Sequence, residues 1–167
     1  NDGGHQEKDK RSGTENTPGI IGISYAIEKA YRDFDENTKR IKELRDYYIS
    51  EIEKRIPEVI LNGDRNDRLP GNANFSFKCV EGESILLLLD AKGICVSTGS
   101  ACSSKSLEPS YVLLATGLPH EVAHGSIRVS IGKHNTKEEV DYLIDSMVEI
   151  IKRLRDMSPL WEEEEKK

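Results

Sequence analysis

The sequence predicts an α+β domain, and two kinds of hydrophobic pattern predict it. Apolar residues recur at helical steps along the first third of the chain and again near its end, whereas the segments between them alternate apolar and polar side chains as half-buried strands do. Leu, Ile, Val and Phe make up about a quarter of the chain, enough to form one hydrophobic core. We therefore expect about four strands and three substantial helices in mixed order.

The N-terminal third of the chain has the pattern of helices. Thr17 and Pro18 form a start signal, because the hydroxyl can cap the first turn and proline lacks the N–H that would be unpaired there. Apolar residues then recur at helical steps as far as Pro57, which ends the pattern. One long bent helix and two helices joined near residues 35–37 are both compatible with it.

Short strands and one buried helix are predicted beyond Pro57. In chain order these elements are a strand at Val59–Leu61, a strand at Ala73–Cys79, a helix near Glu83–Ala91 and a strand at Ile94–Ser97. Asn62 and Gly63 form the turn after the first strand, and Gly93 ends the helix. The change from a helical to an alternating period predicts a sheet in this part of the chain.

The next segment predicts a loop, two short helical pieces and a strand. Small and polar residues at 98–106 form the loop, and Pro109–Ala115 forms a short helix. A single helical turn follows Pro119, and the alternating residues Ser126–Ile131 form the strand.

The chain then predicts a long C-terminal helix. Thr136 caps it with Glu139 three residues later, which is the pattern of a capping box. Apolar residues continue at helical steps from Val140 to Leu154 and form the buried stripe. Trp161 and the charged residues after it predict a solvated tail.

Composition and charge exclude several classes of protein. The net charge is −6 without a basic stripe, which argues against binding to nucleic acid. The longest apolar run, Ile85–Leu89, is far shorter than the roughly 20 residues that cross a bilayer. No apolar stretch follows a basic start, so we expect no signal peptide, no membrane contact and a cytoplasmic location. Because the chain starts with Asn1 rather than Met, we expect it to begin inside a longer protein.

The three cysteines are Cys79, Cys95 and Cys102, an odd number whose spacing fits neither a disulfide framework nor a zinc knuckle. Cys95 lies between two aliphatic residues, so we expect it to be buried and unreactive. Cys102 has small, polar neighbours, which indicate an accessible thiol on a loop. From the residues alone, a functional thiol and an incidental surface thiol are both compatible with this position.

A second candidate is the segment His120–His124, which matches the H-E-x-x-H pattern of zinc proteases. In that pattern two histidines one helical turn apart bind the metal, and the glutamate activates a water molecule. Here Pro119 and Gly125 enclose the segment and leave room for about one helical turn, whereas a zinc protease needs a longer scaffold and a third ligand. We therefore favour a turn without metal.

Two further segments could bind anions. Arg128 alternates with Ile127 and Val129, which places it on the polar face of a strand, where a guanidinium group can bind a carboxylate with two hydrogen bonds. A solvated strand charge is an equally good interpretation of this residue. The turn Arg11–Thr14 carries hydroxyl groups and a glycine and could bind phosphate, although turns of this composition are common.

Seven segments of the chain resemble the C-terminal part of the cysteine desulfurases of the NifS/IscS type, and they occur in the same order as in that family. These proteins are pyridoxal-phosphate enzymes with the class V aminotransferase fold. The segments are Arg11–Asn16, Leu69–Asn72, Val80–Ser84, Ser97–Ser103, Leu107–Leu113, His124–Arg128 and Ser158–Trp161. The resemblance implies the small C-terminal domain of that fold, preceded by the end of the large domain.

The resemblance implies a role for three residues. Cys102 would be the nucleophile that takes sulfur from L-cysteine as a persulfide and leaves L-alanine. Arg128 would bind the substrate carboxylate, and Thr14 would contact the phosphate of the neighbouring subunit's pyridoxal phosphate. The implied partners are a second copy of the protein and an iron–sulfur scaffold or another sulfur acceptor. The resemblance implies no metal site, so His120 and His124 would be loop residues.

The resemblance also predicts how the chain is divided. Residues 1–35 would end the large cofactor-binding domain, and residues 36–167 would form the small domain with the mobile cysteine loop. The family's Schiff-base lysine precedes this region, so we expect the chain to be a fragment that neither retains pyridoxal phosphate nor desulfurates L-cysteine by itself. The alternatives are a non-catalytic interaction module with a redox-active Cys102 and a zinc hydrolase that uses His120 and His124.

Overall fold

The computed structural model describes residues 2–99 and 108–164, with the backbone alone for residues 162–164. The helices and strands of this part, in chain order, are α1 (Thr17–Arg32), α2 (Phe34–Arg55), β1 (Val59–Leu61), β2 (Asn72–Phe77), α3 (Gly82–Asp90), β3 (Ser97–Thr98), α4 (Tyr111–Ala115), α5 (His120–His124), β4 (Ser126–Ser130), α6 (Lys137–Asp156) and α7 (Pro159–Glu164). The predicted α+β class is confirmed.

The contacts within the chain divide it into two compact units, Asn1–Asn37 and Thr38–Lys167. The first unit contains α1, whose N-cap is Asn16 rather than the expected Thr17: the Asn16 side chain accepts a hydrogen bond from the Gly19 N–H at 3.1 Å. Helix α1 ends at Arg32, so the helical pattern forms two helices rather than one.

The second unit is built around an antiparallel sheet with the strand order β1-β2-β4-β3. Strands β2 and β4 form its centre, and Phe75 pairs with Ile127 in their register. Phe75 and Phe77 are buried on one face of the sheet together with apolar residues of α2, α3 and α6. This face contributes to the core of the unit, because the alternating period places the apolar side chains of each strand on the same side.

Helix α6 follows its sequence signals closely. The Thr136 hydroxyl accepts a hydrogen bond from the Glu139 N–H, and the Glu139 carboxylate accepts one from the Thr136 N–H, which completes the predicted capping box. The apolar stripe is buried, including Ile144, Met147 and Ile151. Helix α6 therefore covers the apolar face of the sheet with its own apolar side.

The sequence-based predictions for the ends of β2 and β3 and for the burial of Cys95 are wrong. The predicted strand at Ile94–Ser97 is β3 at Ser97–Thr98, and Cys95 is exposed rather than buried. Its neighbours on both sides are half-buried against the core, so the alternation of the extended chain turns Cys95 outward. Strand β2 ends at Phe77 rather than Cys79, whose positive φ of 63° takes the chain out of the sheet.

The predicted solvated tail is wrong at its first residue, Trp161, and residues 165–167 of that tail lie outside the described part of the chain. Trp161 belongs to α7 and is half-buried, and the guanidinium carbon of Arg155 lies 4.0 Å from the centroid of its indole ring. Arg155 is itself 3% exposed, at the end of α6. A cation and an aromatic face attract each other at this distance, which holds α7 against the end of α6.

No helix in the described part of the chain is long and apolar enough to cross a membrane.

Candidate functional site

A row of polar side chains crosses the face of the sheet opposite the core. Arg128 on β4 pairs with Asn74 on β2 and with Ser97 on β3. The Asn62 N–H, just after β1, donates to the Asn74 carbonyl at 2.8 Å. This hydrogen bond continues the pairing of β1 with β2 by one residue. Directly paired residues of neighbouring strands place their side chains on the same face, so these four residues form what we call the polar row.

Arg128 is the charged member of the polar row. It is exposed on a central strand, between the buried residues Ile127 and Val129. Its guanidinium group forms no hydrogen bond or ion pair with any residue that the structure describes. A rigidly placed guanidinium whose donors are unused can bind a carboxylate with two parallel hydrogen bonds. The placement predicted from the sequence, on the polar face of a strand, is confirmed.

The asparagines of the polar row form a hydrogen-bonded network. Asn62 Nδ2 donates to Asn74 Oδ1 at 2.8 Å and to Ser76 Oγ at 2.9 Å. Asn62 Oδ1 is buried and has no partner in the described part of the chain. The network joins β1 to β2 on the face that carries Arg128, and it fixes the orientation of the Asn74 amide.

Sequence reasoning missed Asn62 and Asn74 as site residues. The sequence predicts Asn62 as a turn residue, and it predicts Asn74 only as part of a strand whose apolar residues are Phe75 and Phe77. The alternation of residues 72–76 places Asn74 on the polar face of β2, as the alternation in β4 places Arg128 on its polar face. The alternation does not show which residues of the two strands pair with each other.

Cys102 lies outside the described residues. The segment that contains it follows Gly99, directly after β3, and the described chain resumes at Glu108. A Cβ atom at Gly99 would be 2.5 Å from Ser126 Oγ and 3.2 Å from Leu113 Cδ1, so this residue is closely packed. Gly99, the last described residue before Cys102, follows the strand β3 that pairs with the strand carrying Arg128.

Thr14 lies in the first unit, in the predicted phosphate-binding turn. Gly13 has a positive φ of 92°, and its N–H donates to Gln6 Oε1 at 3.1 Å, so this N–H of the turn is not available to a phosphate. Arg11 donates to the Gly13 carbonyl at 2.7 Å and forms an ion pair with Glu15. Thr14 is exposed, and its hydroxyl has no hydrogen-bond partner among the described residues.

His120 and His124 lie at the two ends of the five-residue helix α5. Their ring centroids are 4.8 Å apart with the rings edge to face, and His120 Nε2 lies 3.5 Å from Glu108 Oε2. Both histidines line a cavity of about 880 Å³ together with Cys79 and Met157. Among the described residues, no group of three His, Cys, Asp or Glu side chains is arranged to hold a metal ion.

The exposure of Cys95 changes the expected order of thiol reactivity. In the folded chain, we expect an alkylating reagent to modify Cys95 without unfolding and to modify the half-buried Cys79 more slowly. Peptide mass mapping after short exposure to iodoacetamide measures this order. A Cys95→Ser variant should lose the early label on the Cys95 peptide while keeping the later label on the Cys79 peptide. Labelling of Cys95 that needs denaturant would contradict the placement of this residue.

The comparisons with known proteins agree with this fold. The sequence model of the family described as "Aminotransferase class-V" matches residues 4–143, and the chain belongs to that family. Among solved structures, a NifS-like protein matches with a TM-score of 0.75 and 35% identity, over 90% of this chain and 37% of that one. A NifS-like protein from Rickettsia africae matches with a TM-score of 0.75 and 32% identity, over 89% of this chain and 38% of that one.

Curated relatives carry a more particular name. The chain is 58% identical over 161 residues to "Cysteine desulfurase IscS" of Dictyoglomus turgidum, which covers 96% of this chain and 41% of the relative. It is 55% identical over 163 residues to "Cysteine desulfurase IscS" of Clostridium botulinum, with the same coverage of 96% and 41%. The chain thus spans about two fifths of the length of the relatives it matches.

Proposed function

We propose that the chain is part of a cysteine desulfurase, which converts L-cysteine to L-alanine and transfers the sulfur to an acceptor. The observation that carries the proposal is the 58% identity to a protein named "Cysteine desulfurase IscS" over 96% of this chain. The polar row supports it, because the exposed guanidinium of Arg128, which has no partner among the described residues, fits a substrate that carries a carboxylate. We propose Cys102, Arg128 and Thr14 as site residues.

Arg128 binds the α-carboxylate of L-cysteine in this proposal. A charge-assisted pair with two hydrogen bonds fixes both the position and the rotation of the substrate. Strand β4 is central in the sheet and its neighbours Ile127 and Val129 are buried, so the guanidinium starts from a rigid backbone. The substrate thiol then lies at a defined distance from Arg128, where an incoming nucleophile can meet it.

Cys102 supplies that nucleophile. Its thiolate attacks the sulfur of L-cysteine, so that an S–S bond forms on Cys102 and the bond between Cβ and sulfur breaks. The electron pair of the broken bond stays on the substrate carbon, which takes up a proton and becomes the methyl group of L-alanine. The sulfur remains on Cys102 as a persulfide for transfer to an acceptor. The glycine and serine residues around Cys102 suit a thiol that must reach first the substrate and then the sulfur acceptor.

Pyridoxal phosphate is the cofactor that this function requires, and one residue of the chain fits it. When bound, the cofactor withdraws electrons from the substrate and so permits the loss of sulfur. The exposed Thr14 hydroxyl, free of partners in the described part of the chain, is suited to donate a hydrogen bond to the phosphate of a neighbouring subunit. The Schiff-base lysine is not assigned to any residue of this chain.

The remaining parts of the proposal concern the setting of the enzyme. Residues 1–35 belong to the large domain and residues 36–167 to the small domain. The complete protein is a homodimer in the cytoplasm, and its persulfide supplies an iron–sulfur scaffold or another acceptor protein. We propose neither a nucleic acid partner nor a membrane partner. The support for this setting is the similarity to proteins named IscS.

The experiment that tests the function uses the complete protein with its cofactor. Arg128→Ala should raise KM for L-cysteine by about 10- to 100-fold, because a charge-assisted hydrogen-bonded pair contributes about 1.5–3 kcal/mol. Sulfide and L-alanine are measured against L-cysteine concentration. Arg153→Ala, which removes the same charge from an exposed position on α6, is the matched control and should keep the original KM.

Two results would contradict the proposed function. The first is that the complete protein forms no L-alanine from L-cysteine. The second is that Arg128→Ala leaves KM unchanged, which would remove Arg128 from the substrate site.

A further inference from the structure

The polar row contains a second group that can bind the substrate carboxylate. We propose that the side-chain amide of Asn74 donates a hydrogen bond to the same carboxylate that Arg128 binds. The inference rests on the proposed function, because that function supplies the carboxylate. It adds a residue on a different strand that selects for substrates with a carboxylate.

Distance and register place Asn74 within reach. Asn74 and Arg128 are direct partners on neighbouring antiparallel strands, and both side chains lie on the polar face of the sheet. The Cβ atoms of such partners are about 4.5–5.5 Å apart. A carboxylate bound to the Arg128 guanidinium at the surface of the sheet therefore has an oxygen next to the shorter Asn74 side chain.

Asn62, on the side of β2 away from Arg128, sets the orientation of the Asn74 amide. Asn74 Oδ1 accepts the hydrogen bond from Asn62 Nδ2 at 2.8 Å, and the Asn62 N–H holds the Asn74 carbonyl at 2.8 Å. With Oδ1 occupied, the amide group of Asn74 offers its two N–H donors to the rest of the face. These donors have no partner among the described residues.

Two donor groups therefore lie side by side with no acceptor between them in the described part of the chain. If the role of Asn74 were to hold Arg128, its oxygen would face the guanidinium, but that oxygen is bound to Asn62. Arg128 is positively charged and can only donate, and Asn74 presents donors as well. An anion with two oxygens satisfies both groups at once, and this is the chemistry of a carboxylate.

The test compares two ligands that differ only in the carboxylate. It uses the complete protein with its cofactor, in a Cys102→Ser background that stops turnover. The dissociation constants of L-cysteine and of cysteamine, which lacks the carboxylate, are measured from the change in cofactor absorbance. Asn74→Ala should weaken L-cysteine binding about tenfold or more and leave cysteamine binding unchanged.

Asn72 provides a matched control on the same strand. It is half-buried on the same face of β2 as Asn74, but it pairs with Ser130 instead of Arg128. Asn72→Ala should change neither dissociation constant. Asn74→Asp keeps the side-chain size and the acceptor for Asn62 but replaces the donors by a carboxylate oxygen beside Arg128. It should weaken L-cysteine binding more than Asn74→Ala does, whereas Asn72→Asp, with the same added charge, should have a much smaller effect.

The outcomes separate the two proposals. If Asn74→Ala and Asn74→Asp weaken both ligands equally, the role of Asn74 is structural and the inference is wrong. The inference is also wrong if neither variant differs from its Asn72 control while Arg128→Ala still weakens L-cysteine alone. If the parent protein does not discriminate L-cysteine from cysteamine and the complete protein forms no L-alanine, the proposed function is wrong, and the inference is overturned with it.

Discussion

Cys102→Ser is expected to abolish sulfur release from L-cysteine in the complete protein. A hydroxyl group keeps the size and polarity of the segment, but it is a far weaker nucleophile than a thiolate and cannot form a persulfide. Removing a catalytic nucleophile lowers turnover by roughly a thousandfold or more. Binding of L-cysteine should remain, because the substitution leaves the Arg128 side chain on β4 unchanged. Sulfide and L-alanine formation are measured together with ligand binding.

The other two cysteines are the controls for this prediction. Cys95 is exposed and Cys79 is half-buried in the structure, so both residues accept serine without a large change in packing. Cys79→Ser and Cys95→Ser should therefore keep the turnover of the parent protein. Normal turnover in Cys102→Ser would contradict the proposed mechanism. Loss of turnover in Cys95→Ser alone would assign the nucleophile to Cys95, before β3, instead of Cys102.

Elements with strong local signals could be predicted from the sequence. Helix α6 is an example, because Thr136 and Glu139 define its start and the apolar stripe defines its buried face. The capping box joins residues three positions apart in the same helix, and the helical spacing of the apolar residues is visible without the rest of the fold. Both signals are local in the chain, so the helix could be predicted from its sequence.

The placement of Cys95 shows what local signals do not determine. The sequence shows two aliphatic neighbours and predicts burial, but in an extended segment the neighbours of an outward residue are the ones that point inward. The register of β3 against β4, where Ser97 pairs with Arg128, decides which of the alternating residues in this extended segment face the core. That register depends on tertiary packing.

The polar row shows the same limit for a candidate functional site. Arg128 could be predicted as a polar-face residue from its own strand, and the structure confirms that placement. Its neighbours could not, because Asn62, Asn74 and Ser97 come from three other parts of the chain. A site built across strands becomes visible only when the strand order is known. The match at His120–His124 is the opposite case, a complete local motif on a helix of one turn.

Arg155 is the buried charge on which the end of α6 depends. Its Nη1 donates to the Pro57 carbonyl at 2.7 Å, its Nη2 to Glu58 at 3.1 Å and its Nε to Lys78 at 3.2 Å. These carbonyls border β1 and β2, where Glu58 has a positive φ of 51°. Burial lowers the pKa of the Arg155 guanidinium, which reflects the cost of keeping the charge out of water. The three hydrogen bonds and the Trp161 ring offset that cost.

Arg155→Met is expected to lower the free energy of unfolding by about 3 kcal/mol, since it removes the side-chain donor of the Pro57 and Lys78 carbonyls and leaves the Glu58 carbonyl with the Lys78 N–H alone among the described residues. Urea unfolding of the complete protein, followed by circular dichroism, measures the change. Arg153→Ala, exposed two residues earlier on α6, should stay within about 0.5 kcal/mol of the parent. Trp161→Ala should cost about 1 kcal/mol, because it removes the ring but keeps the hydrogen bonds. If Arg155→Met costs no more than Trp161→Ala, the three carbonyls do not depend on Arg155, and its main contribution is the contact with the ring.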